Sequence, residues 1–332
     1  MSILVCGTFL PRVTFASRFG TLMLMAKKAP KKKTSQPLVL PLHPLAEVFG
    51  FPCNNHSEIA SRHRLNRLCP FNNKVPNCTK DKANDPLGTC SVFHDGKTVI
   101  TCPIRFRQEW AIATDAANFF FKPNATWTSL TEVRLRDKND GSAGNIDVVL
   151  VAYDDRGKIT DFGALEVQAV YISGNVRRPF ERFMESPEAN ASMNWRTEVN
   201  YPHPDFLSSS RKRLAPQLLY KGGIIHAWGK KSAVALDSHF FATLPILKEV
   251  PASKAEMAWL IYDLVLDPTS NTYRLQRTRT VYTSFESALI TLTKSEPGNI
   301  NEFIAVLQDK LDDKLEDNNP PDAPTLDQIV EG

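Results

Sequence analysis

The run Gly163-Ala164-Leu165-Glu166-Val167-Gln168-Ala169-Val170 sets an acid and an amide two positions apart in an otherwise apolar stretch. Side chains alternate along a strand, so Glu166 and Gln168 project to one face while Val167 and Ala169 project to the other. A second strand-like run, Ile146-Asp147-Val148-Val149-Leu150-Val151-Ala152-Tyr153, lies upstream, with Asp147 nineteen positions before Glu166 (166 − 147 = 19). Between the two, Asp154-Asp155-Arg156-Gly157-Lys158 has the composition that closes hairpins. Such a hairpin brings Asp147 near Glu166. A carboxylate pair on adjacent strands suits a hard cation such as Mg2+.

Working outward, Trp127 to Arg136 reads as a strand, and the charged turn from Asp137 to Gly144 leads back to Asp147. Three strands in meander order then carry Glu132, Asp147 and the Glu166/Gln168 pair. Periodicity alone makes Glu132 a solvated strand glutamate. Before them, Glu109 to Phe121 has alanines and aromatics at helical spacing, and Phe119-Phe120-Phe121 reads as core. Pro44 to Phe49 reads as a short helix after an extended, proline-rich lead-in. Downstream, Arg211-Lys212-Arg213 opens a helix through Leu214, Leu218 and Leu219 that ends at Gly222-Gly223, and Ile224 to Trp228 reads as a further core strand. Trp259 to Leu266 is an apolar strand with Tyr273 to Tyr282 as its hairpin partner, and Asn301 to Glu316 is a helix. The fold class is α+β, a mixed sheet with flanking helices.

Five of the six cysteines fall between Cys53 and Cys102, and four of them space as Cys69-x8-Cys78-x11-Cys90-x11-Cys102. Proline follows Cys69 and Cys102, and Gly88 precedes Cys90, which favours sulfurs carried on loops. Four converging thiolates make a tetrahedral all-sulfur site, the geometry of zinc or of a single iron. Buried cysteines can also act as small hydrophobes, and Cys53 with His56 is a rival ligand pair.

The chain has 332 residues and a net charge of +4, with ordinary apolar and charged fractions. That is enough for a sizeable core, and it allows nucleic-acid binding without requiring it. The charge is unevenly spread: lysines crowd positions 27 to 33, and Asp and Glu crowd the last thirty residues. Arg12 and Arg18 interrupt any signal-peptide core; the Arg-containing, acid-free opening is open to a transit-peptide reading, the preferred reading takes Met25 as the natural start, and no stretch is long and apolar enough to span a membrane. The expectation is a cytoplasmic protein. Arg105 and Arg107, Arg177 and Arg178, and Arg211 to Arg213 are candidate phosphate contacts.

Taken together, these words resemble the NotI-type restriction endonucleases, a branch of the PD-(D/E)xK nucleases. The resemblance rests on Cys69-Pro70-Phe71, Cys78-Thr79-Lys80, Gly88-Thr89-Cys90-Ser91-Val92 and Cys102-Pro103-Ile104-Arg105. It rests equally on Gly163-Ala164-Leu165-Glu166-Val167-Gln168, with Asp147 upstream and Glu132 fifteen positions before it (147 − 132 = 15). It covers roughly residues 45 to 245. Gln168 stands where lysine is more usual in the wider superfamily.

The resemblance implies a restriction-endonuclease-like core preceded by a four-cysteine loop region. Its boundaries are an extension at 1–36, a metal-binding region at 37–108, a nuclease core at 109–300, and a helix with an acidic tail at 301–332. Asp147 and Glu166 would hold a catalytic Mg2+, with Gln168 and Glu132 as further catalytic residues. Cys69, Cys78, Cys90 and Cys102 would hold one structural iron per chain, with zinc as the alternative; Cys53 falls outside the pattern. The implied partners are double-stranded DNA with a specific, GC-rich palindromic site, a second copy of the chain, and a cognate DNA methyltransferase in the same system. Two other readings are a non-catalytic, metal-stabilised DNA-binding protein and a repair or defence nuclease without a fixed short site.

Overall fold

The β-branched and aromatic runs pair into a small sheet, a main sheet and a separate two-stranded pair in the computed structural model, which describes residues 42–82 and 84–316. The expected start at Met25, the basic tail and the acidic tail after Glu316 lie outside the described residues. A small sheet comes first, formed by β1 (Leu45–Val48), β2 (Phe51–Pro52), β3 (Thr89–His94) and β4 (Lys97–Ile100) in the order β2-β1-β3-β4. The helix α1 (Glu58–Leu65) lies between β2 and β3, with Ser57 as its N-cap accepting from the Ala60 N–H.

The main sheet has six strands, β5 (Trp127–Arg136), β6 (Ser142–Tyr153), β7 (Ile159–Gln168), β10 (Ser232–Asp237), β11 (Met257–Asp267) and β12 (Thr272–Thr283); β8 (Tyr171–Ser173) and β9 (His203–Asp205) pair separately. Its order is β12-β11-β10-β7-β6-β5. β10 runs parallel to both β7 and β11, and the remaining neighbours are antiparallel. The meander and both expected hairpins are present. The fold is α+β, as the sequence indicated.

Each face of this sheet has its own cover. On one, α2 (Ala111–Phe120) packs Ile112, Ala116 and Phe120 against Val148, Leu150, Leu165 and Leu260. Gly163 permits that approach: a Cβ there would lie 2.4 Å from the Phe120 ring. On the other face lies a helical run over residues 206–227. Leu214 and Leu218 from this run meet Val234, Leu236 and Trp259, and Ile225 meets Val149, Val151 and Ala164. Two stretches of the run, Ser209–Leu214 and Leu218–Gly222, are π-helical. Pro216 sits between them, and an interior proline that cannot donate an N–H is a recognised cause of local rewinding.

Five local expectations differ from what forms, the first being that the helical run begins at Phe206, capped by Asp205, and not at Arg211. Pro44 to Phe49 is not a helix: Leu45–Val48 is a fully buried strand paired with β3, because its alternating side chains are needed in a core and not along one helical stripe. α2 begins at Ala111 and not at Glu109, since Glu109 and Trp110 both have left-handed φ, 53° and 52°. Gly222-Gly223 does not end its helix. Both residues are helical, and Ile224 to Trp228 continues that helix instead of forming a strand. The strand that pairs with β7 is Ser232–Asp237, whose six residues are all buried. Glycine's cost in a helix is about 1 kcal/mol, which the packing of Leu218 and Ile225 outweighs.

The two sheets are joined by a buried ion pair. Arg105 and Glu47 are both 0% exposed, and Arg105 Nε donates to Glu47 Oε1 and Oε2 at 3.0 and 3.1 Å. Its Nη1 and Nη2 donate to Gln108 Oε1 at 2.7 Å and to the Tyr273 carbonyl at 2.8 Å, and the guanidinium lies over the Phe71 ring. Ser91 Oγ donates to Glu47 Oε2 at 2.8 Å. Every strong donor and acceptor is matched, which is the condition for burying two charges. Arg105 is therefore committed to the interior and is removed from the phosphate-contact candidates. Arg105→Met should destabilise the fold by about 3–5 kcal/mol, because the Glu47 carboxylate is left buried without its cation. Urea unfolding measures this, and Glu47→Met added to Arg105→Met should recover most of the loss.

Candidate active site and cysteine cluster

The β6–β7 ladder pairs Val148 with Leu165, and one further step of the same register sets Asp147 opposite Glu166. There the backbone ladder gives way to a side chain: the Val167 N–H donates to Asp147 Oδ2 at 2.8 Å. Glu166 is flanked on its other side by Val234 of β10. Alternation directs Leu165 and Val167 to the α2 face, whereas Glu166 and Gln168 face the helical run 206–227.

Glu166 and Gln168 are buried, at 7% and 4% exposure. Glu166 Oε2 accepts from Lys221 Nζ at 2.6 Å, while Oε1 is buried without a hydrogen-bond partner. Burial raises the Glu166 pKa to about 8; the adjacent Asp147 carboxylate pushes the same way, and Lys221 opposes both. Gln168 Nε2 donates to the Ala169 carbonyl at 2.9 Å. A groove of about 900 Å³ opens beside these residues, lined by Asp147 and Gln168 together with Lys80, Lys212, Arg213 and Gln217.

The other sequence candidates fall in distinct places. Glu132 sits on β5 with a left-handed φ of 58°, and its exposed carboxylate accepts from Lys74 Nζ at 3.1 Å. It does not line the groove that holds Asp147. Arg177 borders the groove but is ion-paired with Asp81 and Asp85, and Arg178 pairs with Glu198. Lys212 and Arg213 are exposed at the groove, with the Arg213 guanidinium over the Tyr171 ring.

Two groups at the site are not visible in the sequence. Lys221 and Gln217 lie one helical turn apart and share a small cavity with Glu166. Gln217 also lines the groove, and its Oε1 has no partner. Fifty-five positions separate Lys221 from Glu166. The one sequence signal for it is negative: the uncharged Gln168 requires that a cation come from elsewhere.

The four spaced cysteines line one small apolar cavity, of about 10 Å³. Two turns bring them there. Leu68 bridges Asn77, placing Cys69 and Cys78 side by side, and the β3–β4 hairpin does the same for Cys90 and Cys102. Cys69, Cys78 and Cys102 lie on loops as expected, but Cys90 lies on β3, where strand pairing fixes it. Lys80 Nζ ties these turns together by donating to the carbonyls of Thr89 and Thr101. Backbone N–H groups of Phe71 and Asn72 point at the Cys69 sulfur, and that of Lys80 at the Cys78 sulfur. Such N–H groups favour a thiolate over a thiol. Burial works against them, raising Cys69 to about 11 and Cys90 well above the usual thiol range. Cys53 is apart from the cavity, its thiol donating to the Leu45 carbonyl.

The donor sets fit two different cations. Four soft sulfurs around one cavity suit iron or zinc, and two hard carboxylates with an orphaned buried oxygen suit a divalent ion such as Mg2+. Among the described residues, no three His, Cys, Asp or Glu side chains are already gathered in ligand geometry. Nor is any helix among them long and apolar enough to cross a membrane.

Comparison with known families gives a match to the family described as restriction endonuclease NotI over residues 54–275. That span holds the cysteine cluster, both carboxylates and Lys221. No curated protein matches the chain.

The raised Glu166 pKa has a consequence for stability. Its folded value lies above the ordinary 4.5, so between pH 4.5 and about 8 the folded chain holds a proton that the unfolded chain has released. Stability of the metal-free protein should therefore fall as pH rises through that window, by on the order of 4 kcal/mol from this group. Urea unfolding in EDTA across the window should show the fall. Glu166→Gln should flatten it.

Proposed function

The chain belongs to the NotI restriction endonuclease family, and from that premise we propose that it hydrolyses double-stranded DNA in a Mg2+-dependent reaction at a specific, GC-rich palindromic site. The observation that carries the reading is the juxtaposition of Asp147 with Glu166, one of whose oxygens is buried and unpartnered, at the edge of a groove bordered by Lys212 and Arg213.

In this reading Asp147 and Glu166 hold the divalent ion. When bound, such an ion polarises the scissile phosphoryl group and lowers the pKa of a water. The chain's own residues do the rest. The Val167 N–H fixes the Asp147 carboxylate. Gln168 carries an amide that can orient the attacking water or a phosphate oxygen, but it cannot supply charge. Lys212 and Arg213 contact the DNA backbone, and their contribution weakens as salt rises.

Cys69, Cys78, Cys90 and Cys102 hold one structural iron, with zinc as the alternative. The ion would add folding energy to the segment that carries Lys80 and Arg105. Cutting both strands of a palindrome calls for two sites, and a two-fold homodimer supplies them. A cognate methyltransferase protects the host's own sites, and the pair acts in the cytoplasm.

Plasmid cleavage in Mg2+ tests the catalytic assignment. Wild-type protein should give discrete fragments, and Asp147→Ala and Glu166→Ala should give none while still melting cooperatively, Glu166→Ala at a lower temperature because Lys221 loses its buried partner. Gln168→Ala should retain roughly one hundredth of the rate, the effect of one positioned hydrogen bond. Undiminished cutting by Glu166→Ala would remove β7 from the site. Metal analysis tests the cluster: about one iron per chain in wild type and in Cys53→Ser, and poorly folded, iron-depleted protein for Cys69→Ser or Cys102→Ser. Full iron occupancy in Cys102→Ser would show that the ligand set is wrong.

A further inference from the structure

The strand position two residues after Glu166 is Gln168, which brings no charge, yet a cation is present at this carboxylate from another direction. Lys221 reaches it from the second π-helical stretch of the run 206–227, its stem passing Gly144. Its side chain is 8% exposed. Nζ donates to Glu166 Oε2 at 2.6 Å and to the Asn145 carbonyl at 2.9 Å, so one ammonium bridges β7 and the segment of β6 just before Asp147. π-Helical widenings of this kind frequently occur at functional sites, where they redirect one side chain.

We propose that Lys221 is the positioning residue of the site: it holds Glu166 by Oε2, supplies the positive charge that Gln168 lacks, and leaves Oε1 for the divalent cation. The inference rests on the cation-dependent nuclease reading. It is favoured over the alternative in which Lys221 occupies the cation's own place. An ammonium in that place would bridge both carboxylates, whereas the bonds of Lys221 run to Glu166 and a backbone carbonyl, and Glu166 Oε1 is unpartnered. Without Lys221, Glu166 Oε2 loses the donor that fixes it, and nothing then holds the side chain in the orientation that leaves Oε1 free.

The test uses the full-length protein, with Mn2+ as the probe ion, titrated calorimetrically in the absence of DNA. Lys221→Gln keeps donor capacity without charge, and Lys221→Met keeps length without either. Each should bind Mn2+ about tenfold more weakly than wild type, the effect of losing one charge-assisted hydrogen bond. Each should also need correspondingly more Mg2+ for half-maximal cleavage. Lys221→Met combined with Gln168→Lys returns the charge through the strand and should recover both properties, a rescue that a merely structural lysine would not give.

Three results would overturn the proposal. One is unchanged Mn2+ affinity in a folded neutral variant, and another is failure of the double variant to recover. The third is loss of cooperative melting in both neutral variants, which would place the work of Lys221 in the fold. If wild type itself neither binds Mn2+ nor cuts DNA, the nuclease reading falls and this proposal with it. Normal wild-type cutting with an unaffected Lys221→Gln refutes the proposal alone.

Discussion

A carboxylate buried in a β-sheet is costly, and the arrangement of this protein's main sheet follows from how Glu166 is accommodated. Its strand is central, with β6 on one side and β10 on the other, so solvent cannot reach it from an edge. Compensation has to come from above the sheet, and the helical run 206–227 provides it as one ammonium, from Lys221. That compensation is incomplete, because Asp147 adds a second negative charge on the adjacent strand and Glu166 Oε1 has no partner. Two acids, one base and an unfilled acceptor leave one negative charge unbalanced once Glu166 ionises, above about pH 8.

The second buried charge pair does a different job. Glu47 and Arg105 are fully matched, with Ser91, Gln108 and the Tyr273 carbonyl completing the set. Nothing is left over for a ligand, so this network joins elements instead of binding. It connects β1 and β3 to the segment after Cys102 and to β12, so the cysteine cluster is fastened to the main sheet. Satisfied and unsatisfied polar groups thus separate the structural charge pair from the one at the candidate site, although both are buried to a similar degree.

The groove beside Asp147 takes its character from which cations remain unspent. Arg105 is interior, Arg177 is held by two aspartates and Arg178 by Glu198. Lys212 and Arg213 stay exposed at the groove, on the same helical run that delivers Lys221 to Glu166. One element therefore carries both the groove's basic side chains and the site's internal cation.

The sequence by itself determined the strands whose patterns are local: the β5-β6-β7 meander, the β11–β12 hairpin, and the placing of Asp147 beside Glu166 through a short turn. The even cysteine spacing was legible for the same reason, since two short turns suffice to gather four sulfurs. Tertiary structure decided the rest. Leu45–Val48 is a strand because β3 needed a partner, and Gly223–Ala227 is helical because Ile225 packs on Val149 and Ala164. Arg105 and Arg213 look alike in sequence, yet one is buried and the other exposed. Lys221 reaches Glu166 only when a parallel crossover folds the helical run onto the sheet, across 55 positions of chain. Local pattern records which face a side chain takes, but not what long-range packing brings against that face.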